Sequence, residues 1–320
     1  MMGAPGRSFC AVESASFADE RPGPEFAGFC DEPLQMQSGA VGKRGFLRLG
    51  FERRGSRTIL ADLERRTPCL ASRALHCDAA MPDMPWLFMI TSSGCVLQGD
   101  RLHTDISLKA GARAHVTTQS ATKVHAMEAN YGLMTQVFTL EDDSYLEFLP
   151  DPLLLHRGAR FASRTSIAIA PSATLLYSEI AQPGRKHHRA DESLAVTLMA
   201  LELAASRPDG KMLMSERLLL DPTETWPRQT GVMDGFDVFA NVLLLTPKPS
   251  ADRVSARLDA GVDSERGIAH GACSLPNNAG LIYKVLGRET APVKEAVRAF
   301  WEIAREEIAG ASIPPRFLWR

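Results

Sequence analysis

Three carboxylates in this chain sit where an aqueous face is not expected. Asp100 follows Gly99 at the entry to a strand. Glu147 stands between Leu146 and Phe148 and shares its face with Tyr145 and Leu149, and Glu179 is surrounded by Leu175, Leu176, Tyr177 and Ile180. A carboxylate among apolar neighbours is costly unless it is paired, wetted or bound to a cation, and oxygen ligands suit a hard or borderline cation. Asp100 therefore reads either as the side chain that closes an Asx-type turn or as a carboxylate at the mouth of an oxygen-lined passage. Glu147 reads either as the anion of a buried ion pair, with Arg157 or Arg160 as its partner, or as part of the wall of such a passage. Glu179 repeats the logic, and Glu216, between Met214 and Leu218, is a lesser instance. Asp151, between two prolines, reads as the fixed point of a rigid turn.

The polar run Thr117, Thr118, Gln119, Ser120 and Thr122 lies beside Val116, Ala121 and Val124. It is either a solvated strand edge or a wet interior wall, since buried hydroxyls need partners or ordered water. His187 and His188 are adjacent, so on a strand they point to opposite faces and do not form one two-histidine metal site. With Arg185 they make a basic loop that is either solvated or contacts a partner. Neither this loop nor Cys95 shows metal-ligand spacing. There is no G-x-S-x-G, no H-E-x-x-H and no Cys–His arrangement. What these residues offer is backbone architecture and buried polarity rather than a familiar nucleophile, and no tightly bound cofactor or metal is expected.

The elements that must position these groups are mostly strands. The chain has 320 residues, 45% hydrophobic and 23% charged, enough for a large core. A net charge of -2 excludes a basic field for nucleic acid or an anionic membrane. Six scattered cysteines without a C-x-x-C pair fit a reducing cytoplasm; no signal peptide and no membrane span are visible. Residues 1–42, rich in Gly, Pro, Ser and Ala, predict a disordered tail, and 43–320 a single domain. Leu47, Leu49 and Phe51, then Ile59, Ala61 and Leu63, alternate about a turn at 53–56, which predicts a hairpin. Further strands are predicted at 106–110, 112–118, 134–140, 145–149, 164–170, 174–180 and 238–245. Segment 193–206 reads as strand with a helical start, paired with 212–220 through a turn at 208–210. Val293, Ala296, Val297, Phe300, Trp301, Ala304 and Ile308 have helical spacing, which predicts a helix over 291–309 with Thr290 as cap and Gly310 as stop. No internal repeat is visible. The fold class is mainly β, a many-stranded sandwich or distorted β-helix-like stack with one or two helices.

The motifs GDRL (99–102), TTQSATKV (117–124) and LEFLPDP (146–152), followed by Glu179, Ile180, Gly184 and Arg185, resemble in this order the urease accessory protein UreD family, also called UreH. The likeness runs from about Gly45 to the C-terminal end. It departs before GDRL, where 91–99 replaces a glycine-rich segment, at 80–85, and after Arg185, where His188–Glu192 stands in place of an Arg-Gly-Glu. The resemblance implies a non-enzymatic all-β scaffold that binds UreF, which recruits the GTPase UreG, the assembly docking on the urease apoprotein, with a dimer of such heterotrimers as a further expectation. It also implies transient Ni²⁺ passage through an internal polar channel, on which reading Asp100, Glu147 and Glu179 mark the nickel path. Two other readings stay open on the residues alone: a β-rich binding module without a metal role, and a hydrolase using Asp100, Glu147 or Glu179 as acid and base.

Overall fold

Period-two alternation folds here into strands that change sheets at about half of the steps along the chain. The computed structural model describes residues 22–30 and 44–315. Strands β1 (Arg44–Arg54) and β2 (Arg57–Arg66) form the expected hairpin, and are followed by β3 (Cys69–Ala71), β4 (Trp86–Thr91), β5 (Arg101–Leu108), β6 (Arg113–Thr118), β7 (Thr122–Val124), β8 (Gly132–Leu140) and β9 (Tyr145–Phe148). Next come β10 (Leu153–Leu155), β11 (Arg160–Ile169), β12 (Thr174–Pro183), β13 (Leu198–Ser206), β14 (Met212–Leu220) and β15 (Val238–Leu245). Helix α1 (Lys248–Ser255), strands β16 (Gly261–Asp263), β17 (Ile268–Ser274) and β18 (Gly280–Gly287), and helix α2 (Thr290–Ala309) complete the order.

The first sheet has the order β14-β13-β11-β8-β5-β1-β2, and the second runs β16-β17-β18-β15-β12-β9-β6-β4-β3, with β7 and β10 attached beside β12. Within the first sheet β1, β5, β8, β11 and β13 are successively parallel; within the second so are β4, β6, β9 and β12. The chain therefore winds as a coil, crossing from one sheet to the other through corners of equal length: Leu108 to Arg113, Leu140 to Tyr145 and Ile169 to Thr174. The corners stack. Glu141 N–H donates to the Leu108 carbonyl at 3.0 Å, and Ala170 N–H to the Leu140 carbonyl at 2.9 Å. A repeat thus exists in the backbone although none is visible in residue type, because a corner asks only for a compatible φ (Gly111 +68°, Asp143 +56°) and not for one residue.

The main core lies between the sheets, built from inward positions such as Leu49, Ile106, Phe138, Phe148, Phe161 and Leu243. The outer face of the second sheet is covered by α1 and α2, around Trp86, Leu149, Val242, Val285, Phe300 and Trp301. Helix α2 has its predicted apolar stripe, and Gly310 closes it in the left-handed region. Thr290 does not cap it: its hydroxyl donates to the Gln182 side chain at 2.5 Å, and the cap position is Glu289. Segment 193–206 follows the single 3₁₀ turn Ala190–Glu192, has no helical start of its own, and is strand from Leu198, paired antiparallel with β14. The expectation of a tail over 1–42 lies mostly outside the described residues. Within it, Pro24–Phe29 form a 3₁₀ turn whose Phe26 is fully buried against Tyr131, Leu133, Ala162, Leu198 and Ala200 on the outer face of the first sheet. That stretch is part of the folded body.

Candidate functional site

Polar side chains that point inward from both sheets leave space between them. A cavity of about 90 Å³ lies near β3 and β5, lined by Cys69, Cys95, Thr104 and the 118–123 loop. It shares Met89, Thr118, Thr122 and Met134 with a second cavity of about 50 Å³, which adds Gln136, Asp151, Ser163 and Glu179. Glu179 in turn also lines a third, of about 350 Å³, with Glu216, Asn241 and Lys284 on its wall. The three spaces follow one another between the sheets, and their oxygen and amide groups come from strands neighbouring in the coil.

Strand β12 sends Tyr177 and Glu179 inward and Leu176 and Ile180 outward, as alternation requires. The Tyr177 hydroxyl is on the same face of the strand as Glu179; it lies 3.4 Å from the Thr165 hydroxyl, which accepts from the Gln136 amide at 3.1 Å. Burial, and then the nearby Glu216 carboxylate, push the Glu179 carboxyl up to about 7, against the opposing effect of Tyr177. Glu216 is held by Lys284 and by the Asn241 amide at 3.2 Å. Glu179 and Glu216 thus share one cavity wall, with one lysine, Lys284, paired to Glu216. At the other end, burial and Asp100 push the Cys69 thiol up to about 12, so it stands as a neutral thiol at neutral pH.

Glu147 is elsewhere. It points to the outer face of the second sheet, under α2, and is fully buried. It is paired, as one reading required, but not with Arg157 or Arg160: the partner is Arg305 of α2, bidentate at 2.8 Å for both contacts. Arg157 pairs with Asp191, and the Arg160 guanidinium lies 4.2 Å from the centre of the Phe29 ring. Tyr145 donates its hydroxyl to Glu147 at 2.8 Å, and His115, its direct neighbour across β6 and β9, donates Nδ1–H at 2.7 Å. Arg305 also reaches Asp78 at 2.6 Å and the Ser312 carbonyl at 3.0 Å. Burial alone would raise the Glu147 carboxyl, but Arg305 and His115 outweigh it and hold it well below the usual range; burial lowers His115, which is neutral. The His115 ring stacks on Trp86 with centroids 3.5 Å apart. This is a buried ionic clamp in which one guanidinium, Arg305, serves two carboxylates, Glu147 and Asp78.

Asp100 is fully buried and accepts the Leu97 N–H at 2.9 Å, so it closes the turn that enters β5. The polar ladder divides. Thr117 faces outward and donates to the Leu149 carbonyl at 2.6 Å, Thr118 and Thr122 line the cavities half-buried, and Gln119 and Ser120 are exposed. Thr118 accepts the Asp151 N–H at 2.9 Å, and Asp151 also pairs with Lys294 of α2 at 2.7 Å. In the basic loop Arg185 is turned back onto Glu192, while His187 and His188 are exposed, His187 beside Glu289 at 2.8 Å. The structure thus brings Glu179 together with Thr118 and Thr122, and with the lesser candidate Glu216, but not with Asp100 or Glu147. No group of three or more His, Cys, Asp or Glu among the described residues is placed to hold a metal ion. Sequence reasoning missed Arg305, Asp78 and His115. Arg305 did leave a signal: it continues the Val297–Trp301 stripe at the next helical step.

The profile of the UreD urease accessory protein family matches residues 43–320. A curated relative from Yersinia pseudotuberculosis, named Urease accessory protein UreD, is 52% identical over 297 residues, 93% of this chain and 92% of its own. One from Photorhabdus laumondii has the same name, identity and coverage. Urease accessory protein UreD 2 of Brucella suis is 46% identical over 295 residues, 92% of this chain and 98% of its own. With nearly the whole of both chains aligned at such identity, the chain belongs to the UreD family of urease accessory proteins.

Proposed function

We propose that this chain is a maturation scaffold that joins UreF, and through it the GTPase UreG, to the urease apoprotein, and that nickel travels as cargo through the space between its two sheets. The observation that carries the passage is the row of three cavities with shared walls, lined by Thr118, Thr122, Gln136, Ser163, Glu179 and Glu216. Hydroxyl, amide and carboxylate oxygens are ligands weak enough for a borderline cation to leave. Glu179 is the residue assigned to the path. Its proton is shed when a cation arrives, which keeps the resting interior closer to neutral. Asp100 acts as a turn residue behind the first cavity, and Glu147 as the anion that fastens α2.

The hydrolase reading needs two of Asp100, Glu147 and Glu179 at one place, whereas the first closes a turn, the second is paired with Arg305 under α2 and the third lies between the sheets; no helix among the described residues is long and apolar enough to cross a membrane. The scaffold reading is tested by coexpressing the chain with UreF, UreG and urease subunits. The expected result is one copurifying complex and urease that becomes active only when this chain is present. Urease of equal activity without it, or a chain that captures none of the three, contradicts the reading.

A further inference from the structure

The outer edge of β2 borders an open groove of about 560 Å³, facing the chain from Ala71 to His76. Among the described residues its walls carry Arg57, Arg65, Arg73 and His76 and not one carboxylate, in a chain whose net charge is -2. The acidic residues of the same strand, Asp62 and Glu64, do not line it; Glu64 pairs with Arg48 at 2.8 Å. Among the described residues Arg57, Arg65 and Arg73 have neither ion pair nor hydrogen-bonding side-chain partner. Between the arginines the floor is apolar: Ile59 and Leu63 lie in the groove, and Leu63 is 42% exposed.

The backbone is open as well. β2 ends the first sheet, and its ladder is with β1 alone. Thr58 is occupied on its outer side, giving its N–H to the Asp83 carbonyl at 2.9 Å and taking the His76 ring at 2.9 Å. From Ile59 to Arg66 no other backbone bond reaches the strand among the described residues. Three uncompensated arginines about an apolar strip, on a strand with free backbone groups, match one kind of ligand: an extended chain whose side chains alternate acidic and apolar.

We propose that the β2 edge receives an extended acidic segment of a partner protein by strand addition, its carboxylates meeting Arg57, Arg65 and Arg73 and its apolar residues covering Ile59 and Leu63. The inference does not depend on the nickel passage. The rival role for such arginines is to keep an exposed edge from pairing with another copy of this chain.

The test uses the full chain and a short fluorescent peptide alternating glutamate and valine. Anisotropy is expected to show saturable binding that weakens with salt. Arg57→Glu/Arg65→Glu/Arg73→Glu should weaken it at least about tenfold, and the corresponding triple lysine variant should keep most of it, with circular dichroism melts confirming that both variants fold. Alternate N-methylation of the peptide should abolish binding by removing its ladder donors. Equal binding of a lysine–valine peptide, or unchanged binding by the glutamate variant, overturns the proposal. So does a triple serine variant that self-associates while binding the peptide as before.

Discussion

Two glutamates in similar apolar runs hold opposite states. Glu147 is ionised because Arg305 and two hydrogen-bond donors surround it, whereas Glu179 shares its space with another carboxylate. Removing the anion from the first leaves a buried guanidinium short of charge, so Glu147→Ala should cost about 3–5 kcal/mol by urea denaturation. Glu147→Leu combined with Arg305→Met and Asp78→Asn should recover much of that loss, since it removes all three buried charges. The second makes a pH prediction. Its carboxyl titrates at about 7 in the folded chain against 4.5 unfolded. The folded state therefore holds a proton that the unfolded state has released, and this contribution to stability falls as pH rises through that interval. Glu179→Gln should flatten the decline of melting temperature between about pH 4.5 and 7; an unchanged slope would mean that Glu179 titrates normally. The cost of burying Glu147 was legible in the sequence. Its partner was not, because it lies 158 residues away in a helix whose charged positions read as solvent-facing.

At the scale of elements, α2 was legible because 3.6-residue periodicity, a proline in the first turn and a closing glycine agree. Most first-sheet strands were legible from alternation. The segments missed include β4, with Trp86, Leu87 and Phe88, and β18, with Leu281, Ile282 and Tyr283: they are apolar on both faces because helices cover the second sheet. Such runs lack the period of two. Helix α1 is short and leaves a weak pattern. The 3₁₀ turn at Pro24–Phe29 stands alone in a polar, proline-rich context, so a single Phe26 gave no pattern at all. Its burial makes a prediction opposite to that for a free tail: Phe26→Ala should cost about 3 kcal/mol in chemical denaturation. A loss below a few tenths would show that the segment does not pack in solution. Deleting α2 should leave the outer face of the second sheet bare and the chain insoluble, as read by its partition on centrifugation.

The whole molecule is a two-sheet coil whose successive turns set like positions side by side. His115 meets Glu147, His103 meets Thr135 and Gln136 meets Thr165 across neighbouring parallel strands. A coil of this kind sets polar residues that are distant in sequence side by side, on the outer face as on the inner, and this is why single polar islands could be flagged from sequence while their grouping could not. Glu179 and Glu216 belong to strands in different sheets and meet only through the space between them.

The proposed passage between the sheets is the central claim, and narrowing a wall that two of its cavities share tests it most directly. Thr122 borders both the first and the second cavity, so Thr122→Trp fills their junction without touching the ionic clamp under α2. The measurement is nickel per urease active site after maturation with the variant, at matched amounts of copurified complex. The account predicts an intact complex delivering far less nickel than wild type. Full nickel content from the blocked variant would contradict it.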